Sequence, residues 1–298
     1  MITKTAMITI AGRPNVGKST LTNAIVGEKI TIVSPKPQTT RRRILAVASR
    51  GQTQFVFADT PGFHRARTKL GDYMDNVVRQ SVADVDAVVL MVEPVANIGP
   101  QEQQLIARLK ENNMPAVLVI NKADTLQDKR MLLPVIEIYS QAYAFDDIIP
   151  ISAKTGDGVE ELLSLLEKYA VEGPQLFPDD IISDQPEKQI CAEIIREKLL
   201  LALDKEIPHG TAVVITKFQQ RDEDDVIELD ATIYCEKQSH KGIIIGKQGS
   251  MLKKIGAMAR RDIEEFMGAK VFLQTWVRVK ENWRDSDALL RNFGFTDE

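Results

Sequence analysis

The stretch "GRPNVGKST", which runs from Gly12 to Thr20, decides the fold of the first half of this chain. It follows a short apolar run, Met7 to Ile10, whose β-branched residues predict a buried strand. The residues after Lys18 have apolar side chains at helical spacing. The motif Gly-x-x-x-x-Gly-Lys-Ser therefore lies between a predicted strand and a predicted helix, which is the context that makes a phosphate-binding loop specific.

Each residue type of this loop has a chemical role in holding phosphate. Glycines at positions 12 and 17 let the backbone approach a ligand closely, so that N–H groups and a helix N-terminus face an anion. Lys18 is expected to reach the β and γ phosphates, and the Ser19 hydroxyl to ligate Mg²⁺. We expect the nucleotide site to include Gly12, Asn15, Val16, Gly17, Lys18, Ser19 and Thr20.

Composition places the chain among ordinary globular proteins. Its 298 residues favour two domains, with 44% hydrophobic and 27% charged residues. The net charge of -4 carries no signal for nucleic acid overall, so the local distribution of charge must decide. Two cysteines, the absence of a signal peptide pattern and the shortness of every apolar run predict a cytoplasmic protein with buried thiols.

Short apolar runs alternate with helical segments up to about residue 170, which predicts a mostly parallel sheet with helices on both faces. The predicted strands are 6–11, 44–48, 55–58, 87–92, 116–120 and 147–151. The segment "VEGPQLFPDDIISDQP" then reads as a linker by its prolines and aspartates. We assign a first domain to residues 1–172, a linker to 173–186, a second domain to 187–281 and a tail to 282–298.

Two segments predict how the third phosphate is detected. In "FVFADTPG", Asp59 ends an apolar strand and can hold Mg²⁺ through water, while the Gly62 N–H can contact a γ-phosphate. In "PQTTRRR", the Thr40 hydroxyl is expected to complete the Mg²⁺ shell. Thr39 lies beside it, and solvated loop hydroxyls remain the alternative for both threonines.

Two further segments predict a guanine base. "VLVINKAD" ends a strand with Asn121, Lys122 and Asp124, and the Asp124 carboxylate can accept both N1–H and the exocyclic amino group of guanine. Adenine lacks these donors, and a site built on such a bond rejects the wrong partner by about 10⁴-fold. "PISAKTG" supplies Ser152, Ala153 and Lys154, where the Ala153 N–H is expected to bond guanine O6.

Together these segments resemble the translation-factor class of GTPases over residues 1–170, within the group that includes Era, MnmE and Der. That resemblance implies catalysis through Lys18, Thr40, Gly62 and Asn15. Ras-like relatives have a glutamine after the "DxxG" glycine to orient water, whereas Phe63 stands here. In MnmE-like relatives an asparagine placed as Asn15 is associated with a K⁺ ion that acts like an arginine finger, and the alternative is that Asn15 only shapes the loop.

The second domain carries a local excess of positive charge. Residues 241–280 contain nine Lys or Arg against three Asp or Glu, as expected of a nucleic-acid face, although a solvated helix face is the alternative. In "GIIIGKQGSMLKKIG" two glycines spaced by two residues would let a turn approach a ribose-phosphate chain. The predicted RNA contacts are Gly246, Lys247, Gln248, Gly249, Lys253 and Lys254.

The order helix, strand, strand, helix, GxxG, helix, strand resembles a type II KH domain, a module that clamps about four nucleotides of single-stranded RNA. Phe272, Trp276 and Trp283 are candidate stacking platforms for RNA bases, but even spacing along one predicted strand favours Phe272 and Trp276 as core residues. Trp283 lies beyond that strand and is the predicted surface aromatic.

A GTPase domain followed at once by a KH domain closely resembles the Era family of ribosome-assembly GTPases over essentially the whole chain. The resemblance implies GTP and GDP with Mg²⁺ as ligands, the 3′ end of 16S ribosomal RNA and the 30S subunit as partners, a monomer, and peripheral contact with the inner face of the membrane. A regulatory signalling GTPase whose second domain binds a protein partner or a membrane surface stays open as the alternative.

Overall fold

The apolar runs of the first half of the chain form one sheet in the computed structural model, which describes residues 2–61, 68–81, 85–221 and 225–295. Its strands are β1 (Lys4–Ala11), β2 (Ile44–Arg50), β3 (Thr53–Asp59), β4 (Ala87–Val92), β5 (Ala116–Ile120), β6 (Asp147–Pro150) and the short β7 (Val171–Glu172). The order across the sheet is β2-β3-β1-β4-β5-β6, with β7 antiparallel to β1. Five neighbouring strands, β3, β1, β4, β5 and β6, are parallel, so their carboxyl ends meet at one edge of the sheet.

Helices cover both faces of this sheet, as the alternating sequence pattern predicted. They are α1 (Lys18–Val26), α2 (Lys69–Ser81), α3 (Pro100–Glu111), α4 (Leu132–Ala142) and α5 (Val159–Leu166). One buried cluster joins Leu21 of α1 and Leu162 of α5 to the sheet, and a second joins Leu105 of α3 and Tyr139 of α4 to it. The central strands β4 and β5 are buried on both sides, and for this reason their sequences are almost continuous runs of apolar residues.

The predicted linker packs against the first sheet over part of its length. The Ile182 carbonyl accepts the Val47 N–H at 2.9 Å, and the Ser183 hydroxyl donates to the Leu45 carbonyl at 2.9 Å. The Gln54 side-chain amide also donates to the Phe177 carbonyl at 2.8 Å. The bonds to Val47 and Leu45 satisfy edge groups of β2 that would otherwise be open to another chain. The first compact unit accordingly extends to Asp184.

The second unit follows the element order typical of a type II KH domain. It contains α6 (Glu187–Ala202), β8 (Ala212–Gln220), β9 (Ile227–Cys235), α7 (Gln238–Ile245), α8 (Ser250–Met267), β10 (Val271–Val279) and α9 (Asp287–Asn292). Its sheet has the order β10-β9-β8, with β9 parallel to β10 and antiparallel to β8. Buried residues of α6, α8 and the sheet, such as Ile194, Ile255 and Leu229, form its core.

Two earlier segments of the chain, 32–39 and the described part of 66–73, are counted with this second unit. The Val33 N–H donates to Glu197 Oε1 at 2.9 Å, and the Lys69 N–H donates to Asp285 Oδ1 at 3.1 Å. Over the described ranges, we find no helix that combines the length and the apolar character needed to cross a membrane.

The structure overturns the predicted placement of the aromatic residues. Phe272 and Trp276 are 45% and 42% exposed, whereas Trp283 is fully buried. The Trp283 indole N–H donates to the Gly210 carbonyl at 2.9 Å, and its ring packs on Phe293 of the tail. Helices cover the sheet on the face of Val271 and Val277, which leaves the alternate residues of β10 in solvent. Alternation alone identifies two faces of a strand, and it cannot say which of them is covered.

The two tryptophans provide a matched test of this packing. We expect Trp283→Ala to lower the free energy of unfolding of the second unit by about 3–5 kcal/mol, because it removes a fully buried ring and leaves the Gly210 carbonyl unpaired. Trp276→Ala should cost less than about 1 kcal/mol. Urea unfolding can be followed by the fluorescence of the remaining tryptophan, since the chain has two and both lie in this unit. Equal losses in the two variants would contradict this account.

Candidate nucleotide site and RNA-binding surface

The predicted phosphate loop connects β1 to α1 at the edge where the parallel strands end. Gly17 immediately precedes α1 with φ 107°, and a Cβ there would lie 2.3 Å from the Asn121 side-chain nitrogen. Only glycine fits such a position. The Lys18 ammonium is buried and donates to the carbonyls of Gly12 and Arg13 at 3.0 and 3.1 Å. The loop therefore surrounds its own lysine, and the N-terminus of α1 adds positive partial charge.

Lys18 and Asp59 form a buried pair with perturbed ionisation. Burial lowers the pKa of Lys18 to about 8, an effect that the nearby Asp59 carboxylate opposes. Burial raises the pKa of Asp59 to about 6, opposed first by the charge of Lys18 and then by the hydrogen bond from Ser19. Each charge is disfavoured by burial, so a ligand that brings both phosphate and a divalent cation would stabilise both. Perturbed pairs of this kind are typical of functional sites.

Three oxygen-bearing side chains converge beside this pair. The Ser19 hydroxyl donates to Asp59 Oδ2 at 2.8 Å and lies 2.9 Å from Thr40 Oγ1. Asp59 Oδ1 is buried and has no hydrogen-bond partner within the part of the chain that the structure describes. An all-oxygen set with one unsatisfied carboxylate atom fits the preferences of Mg²⁺.

The two adjacent threonines have different surroundings. Thr40 is buried next to Ser19, whereas the Thr39 hydroxyl donates to the Lys36 carbonyl at 2.7 Å. Thr40, and not Thr39, therefore lies beside Ser19, and its role as a metal ligand stays a prediction. Gly62 and Phe63 lie outside the described residues, so their expected roles stay predictions.

Asn121 joins three loops at the base end of the site. Its side-chain nitrogen donates to the Val16 carbonyl at 2.7 Å, and its side-chain oxygen accepts the Ala153 N–H at 2.9 Å. The phosphate loop, the turn after β5 and the loop after β6 are thereby held together. The Ala153 N–H predicted to bond guanine O6 thus already donates to Asn121. It would have to donate to both oxygens, or its bond to Asn121 would have to break.

The remaining residues of the predicted base site differ in exposure. Asp124 lies in a single helical turn, Ala123–Thr125, with its side chain exposed and able to reach a ligand. Lys122 precedes that turn in the left-handed conformation, with φ 63°. Ser152 is buried with its N–H bonded to the Asp157 carbonyl at 2.9 Å, and Lys154 is exposed. Ser152 thus shapes the loop, while Asp124 and Lys154 face solvent.

Sequence reasoning missed one carboxylate of this site. Glu93 directly follows β4, and its Oε2 lies 2.6 Å from the Arg13 guanidinium, while its other oxygen pairs with Lys122. Its position at the carboxyl end of a parallel strand was the available signal, because that edge carries the ligand site in open α/β sheets. The sequence alone did not indicate which loops the carboxylate would reach.

The GxxG segment forms a tight turn between α7 and α8. Gly246 has φ 73°, and a Cβ there would lie 2.7 Å from Met251 Cβ. Gln248 is also left-handed, with φ 52°, and both Lys247 and Gln248 are exposed. Lys253 and Lys254 are exposed on the first turns of α8. The turn therefore combines close backbone approach, a helix N-terminus and three exposed cations, a combination suited to binding phosphate.

Comparisons with known proteins agree with this geometry. Residues 7–122 match the family described as 50S ribosome-binding GTPase. Residues 206–284 match the KH domain family. The first match contains the phosphate loop and the "DTPG" segment, and the second contains the GxxG turn.

Full-length relatives extend the agreement. The chain is 50% identical to GTPase Era of Ruminiclostridium cellulolyticum, over 98% of this chain and 97% of that protein. It is 47% identical to GTPase Era of Caldanaerobacter subterraneus, over 99% of both.

Solved structures match over nearly all of the chain as well. A variant of Aquifex aeolicus Era bound to GDP.AlF4- has a TM-score of 0.94 at 36% identity, covering 99% of this chain and 100% of that one. Era in complex with MgGDPNP and nucleotides 1506–1542 of 16S ribosomal RNA has a TM-score of 0.94 at 35% identity, with the same coverage. With its nucleotide site, its KH unit and these relatives in agreement, the chain belongs to the Era family of GTPases and hydrolyses GTP.

Proposed function

We propose that this GTPase is a molecular switch that binds the 3′ end of 16S ribosomal RNA and acts in assembly of the 30S subunit. The observation that carries the proposal is the exposed GxxG turn with its lysines, present in one chain with a complete set of guanine-nucleotide motifs. Support comes from the related Era structure that contains nucleotides 1506–1542 of 16S ribosomal RNA. From family resemblance alone we extend the proposal to a cytoplasmic monomer with peripheral contact at the inner membrane face.

In the nucleotide site, Lys18 and the N–H groups of residues 15–20 hold the phosphates. Ser19, Thr40 and Asp59 would hold Mg²⁺, which would supply positive charge beside the phosphates during their transfer. Thr40 and Gly62 respond to the γ-phosphate. These roles draw on the convergence of Ser19, Thr40 and Asp59 at one point of the sheet edge.

At the base end, Asp124 accepts the two guanine donors, and Asn121 holds the surrounding loops in register. Lys122, Ser152, Ala153 and Lys154 complete the surroundings of the base. In the second unit, Gly246 and Gly249 let the turn approach the RNA backbone. Lys247, Gln248, Lys253 and Lys254 contact its phosphates.

We also propose that K⁺ takes part in hydrolysis through Asn15. Asn15 is an exposed residue of the phosphate loop and is held in the left-handed conformation at φ 66°. A side-chain carbonyl placed there could hold a monovalent cation beside the β and γ phosphates, where positive charge accelerates hydrolysis.

Guanine specificity tests the base site. Asp124→Asn exchanges the double acceptor for an amide, so we expect affinity for GTP to fall by at least about tenfold and affinity for XTP to rise. Fluorescent nucleotide titration measures both affinities. Asp128→Asn, a nearby aspartate outside the base site, is the control and should bind like the wild type. Full GTP affinity with no gain for XTP would show the assignment to be wrong.

The GxxG turn is tested by charge reversal. Changing Lys247 and Gln248 together to Asp places two carboxylates against phosphate, and RNA affinity should fall at least about tenfold. Filter binding of nucleotides 1506–1542 of 16S ribosomal RNA over a range of salt measures this.

The matched control changes the same dipeptide at Lys188 and Gln189 of α6 to Asp. Unaltered RNA affinity in the turn variant would reject the clamp and favour a second domain that binds a protein partner or membrane surface.

The cation proposal predicts faster hydrolysis in K⁺ than in Na⁺ at equal ionic strength. Asn15→Ala should remove that difference while GTP binding survives, because the loop N–H groups and Lys18 remain. Phosphate release in single-turnover assays, with and without RNA, provides the measurement. Equal wild-type rates in the two salts would reject the cation proposal. A partner protein or the ribosomal particle would then be the source of the positive charge that accelerates hydrolysis beside the β and γ phosphates.

A further inference from the structure

A small charged cluster at the nucleotide site joins Lys122 to Arg13, Glu93 and Glu102, and these last three residues have no role in the function proposed above. Glu93 divides its carboxylate between two loops, with Oε2 at 2.6 Å from Arg13 of the phosphate loop and Oε1 paired with Lys122 of the base loop. Glu102 of α3 adds a second carboxylate 2.8 Å from Arg13 Nε. Two cations and two carboxylates therefore balance in charge.

The cluster is anchored on one side and open on the other. The Glu102 side chain is 3% exposed, so Arg13 is paired with a buried carboxylate of α3. Arg13, Glu93 and Lys122 are each about one-third exposed, so they lie at the surface of the site itself. Arg13 thus pairs with the buried Glu102 on one side and with Glu93 on the other. Glu93 in turn pairs with Lys122 and connects it to Arg13.

We propose that Glu93 is a positioning residue that sets how long the guanine nucleotide stays bound. It acts through Lys122 and Arg13, whose loops contact the nucleotide in the function proposed above, and the inference rests on those contacts. The ammonium group of Lys122 is carried on a flexible side chain, so without a partner it can adopt many positions. Pairing with Glu93 holds that side chain beside the base loop, next to Asp124, and removes conformational freedom that nucleotide binding would otherwise have to remove.

The arrangement also joins the two ends of the nucleotide site. Asn121 links the phosphate loop to the base loop by neutral hydrogen bonds on the buried side. Glu93 links the same two loops by ionic contacts on the more exposed side. With both links in place the loops open together, and loss of the ionic link allows the base loop to open alone. Release of nucleotide should then become faster.

Glu93→Gln tests this with little change in side-chain size. We expect release of fluorescent GDP, followed by stopped flow, to accelerate about tenfold. Glu111→Gln, which changes an exposed glutamate at the end of α3, is the control and should release GDP at the wild-type rate. A rate within about twofold of wild type, or slower release, would overturn the proposal.

A second comparison separates charge from shape. Glu93→Asp keeps the carboxylate and shortens its reach, so it should release GDP more slowly than Glu93→Gln. A role in packing alone predicts the opposite order, because Gln preserves the shape of Glu. That opposite order would overturn the proposal.

A double-mutant cycle tests whether Glu93 acts through Lys122. Lys122→Met removes the ammonium and keeps most of the stem, so its effect should overlap with that of Glu93→Gln. The double variant is expected to release GDP more slowly than the product of the two single effects predicts. Fully multiplicative effects would show that Glu93 acts elsewhere. Failure of this test would leave the base role of Asp124 untouched, because the GTP and XTP affinities measure that role separately.

Discussion

Parallel pairing of five strands, β3, β1, β4, β5 and β6 in their order across the sheet, is the constraint on which the first unit depends. Because these five strands run in one direction, their carboxyl ends and the loops that follow them must share one edge of the sheet. Residues far apart in sequence, from the phosphate loop to the loop after β6, become neighbours there. The Asn121 side chain then joins three of those loops with two hydrogen bonds.

The nucleotide site places charges where burial disfavours them. Lys18 and Asp59 are both buried, which lowers the pKa of the lysine and raises the pKa of the aspartate. The pair is close enough to compensate in part, yet one Asp59 oxygen has no hydrogen-bond partner among the described residues. Phosphate and a divalent cation supply the charges that complete such a site. Their binding therefore relieves the unfavourable free energy of burying Lys18 and Asp59 in the folded protein.

The second unit differs from the first, because helices cover its three-stranded sheet on one face and not on both. The core forms between α6, α8 and that face, and the opposite face leaves Phe272 and Trp276 in solvent. The tail folds back to bury Trp283, whose ring packs on Phe293. The GxxG turn lies between two helices, where close backbone approach and exposed lysines occur together.

The sequence by itself determined six of the seven strands of the first sheet, both motif sets and the order of the KH elements, because hydrophobic periodicity and glycine spacing are local properties of the chain. It did not indicate the short strand β7 or the tail helix α9. It also singled out Ser19, Thr40 and Asp59, which the fold then brought within hydrogen-bond distance. Only the tertiary structure decided which face of β10 is covered, that Trp283 is buried, and that Glu93 joins Arg13 to Lys122. Those outcomes depend on which distant segments meet, and neither periodicity nor motif spacing carries that information.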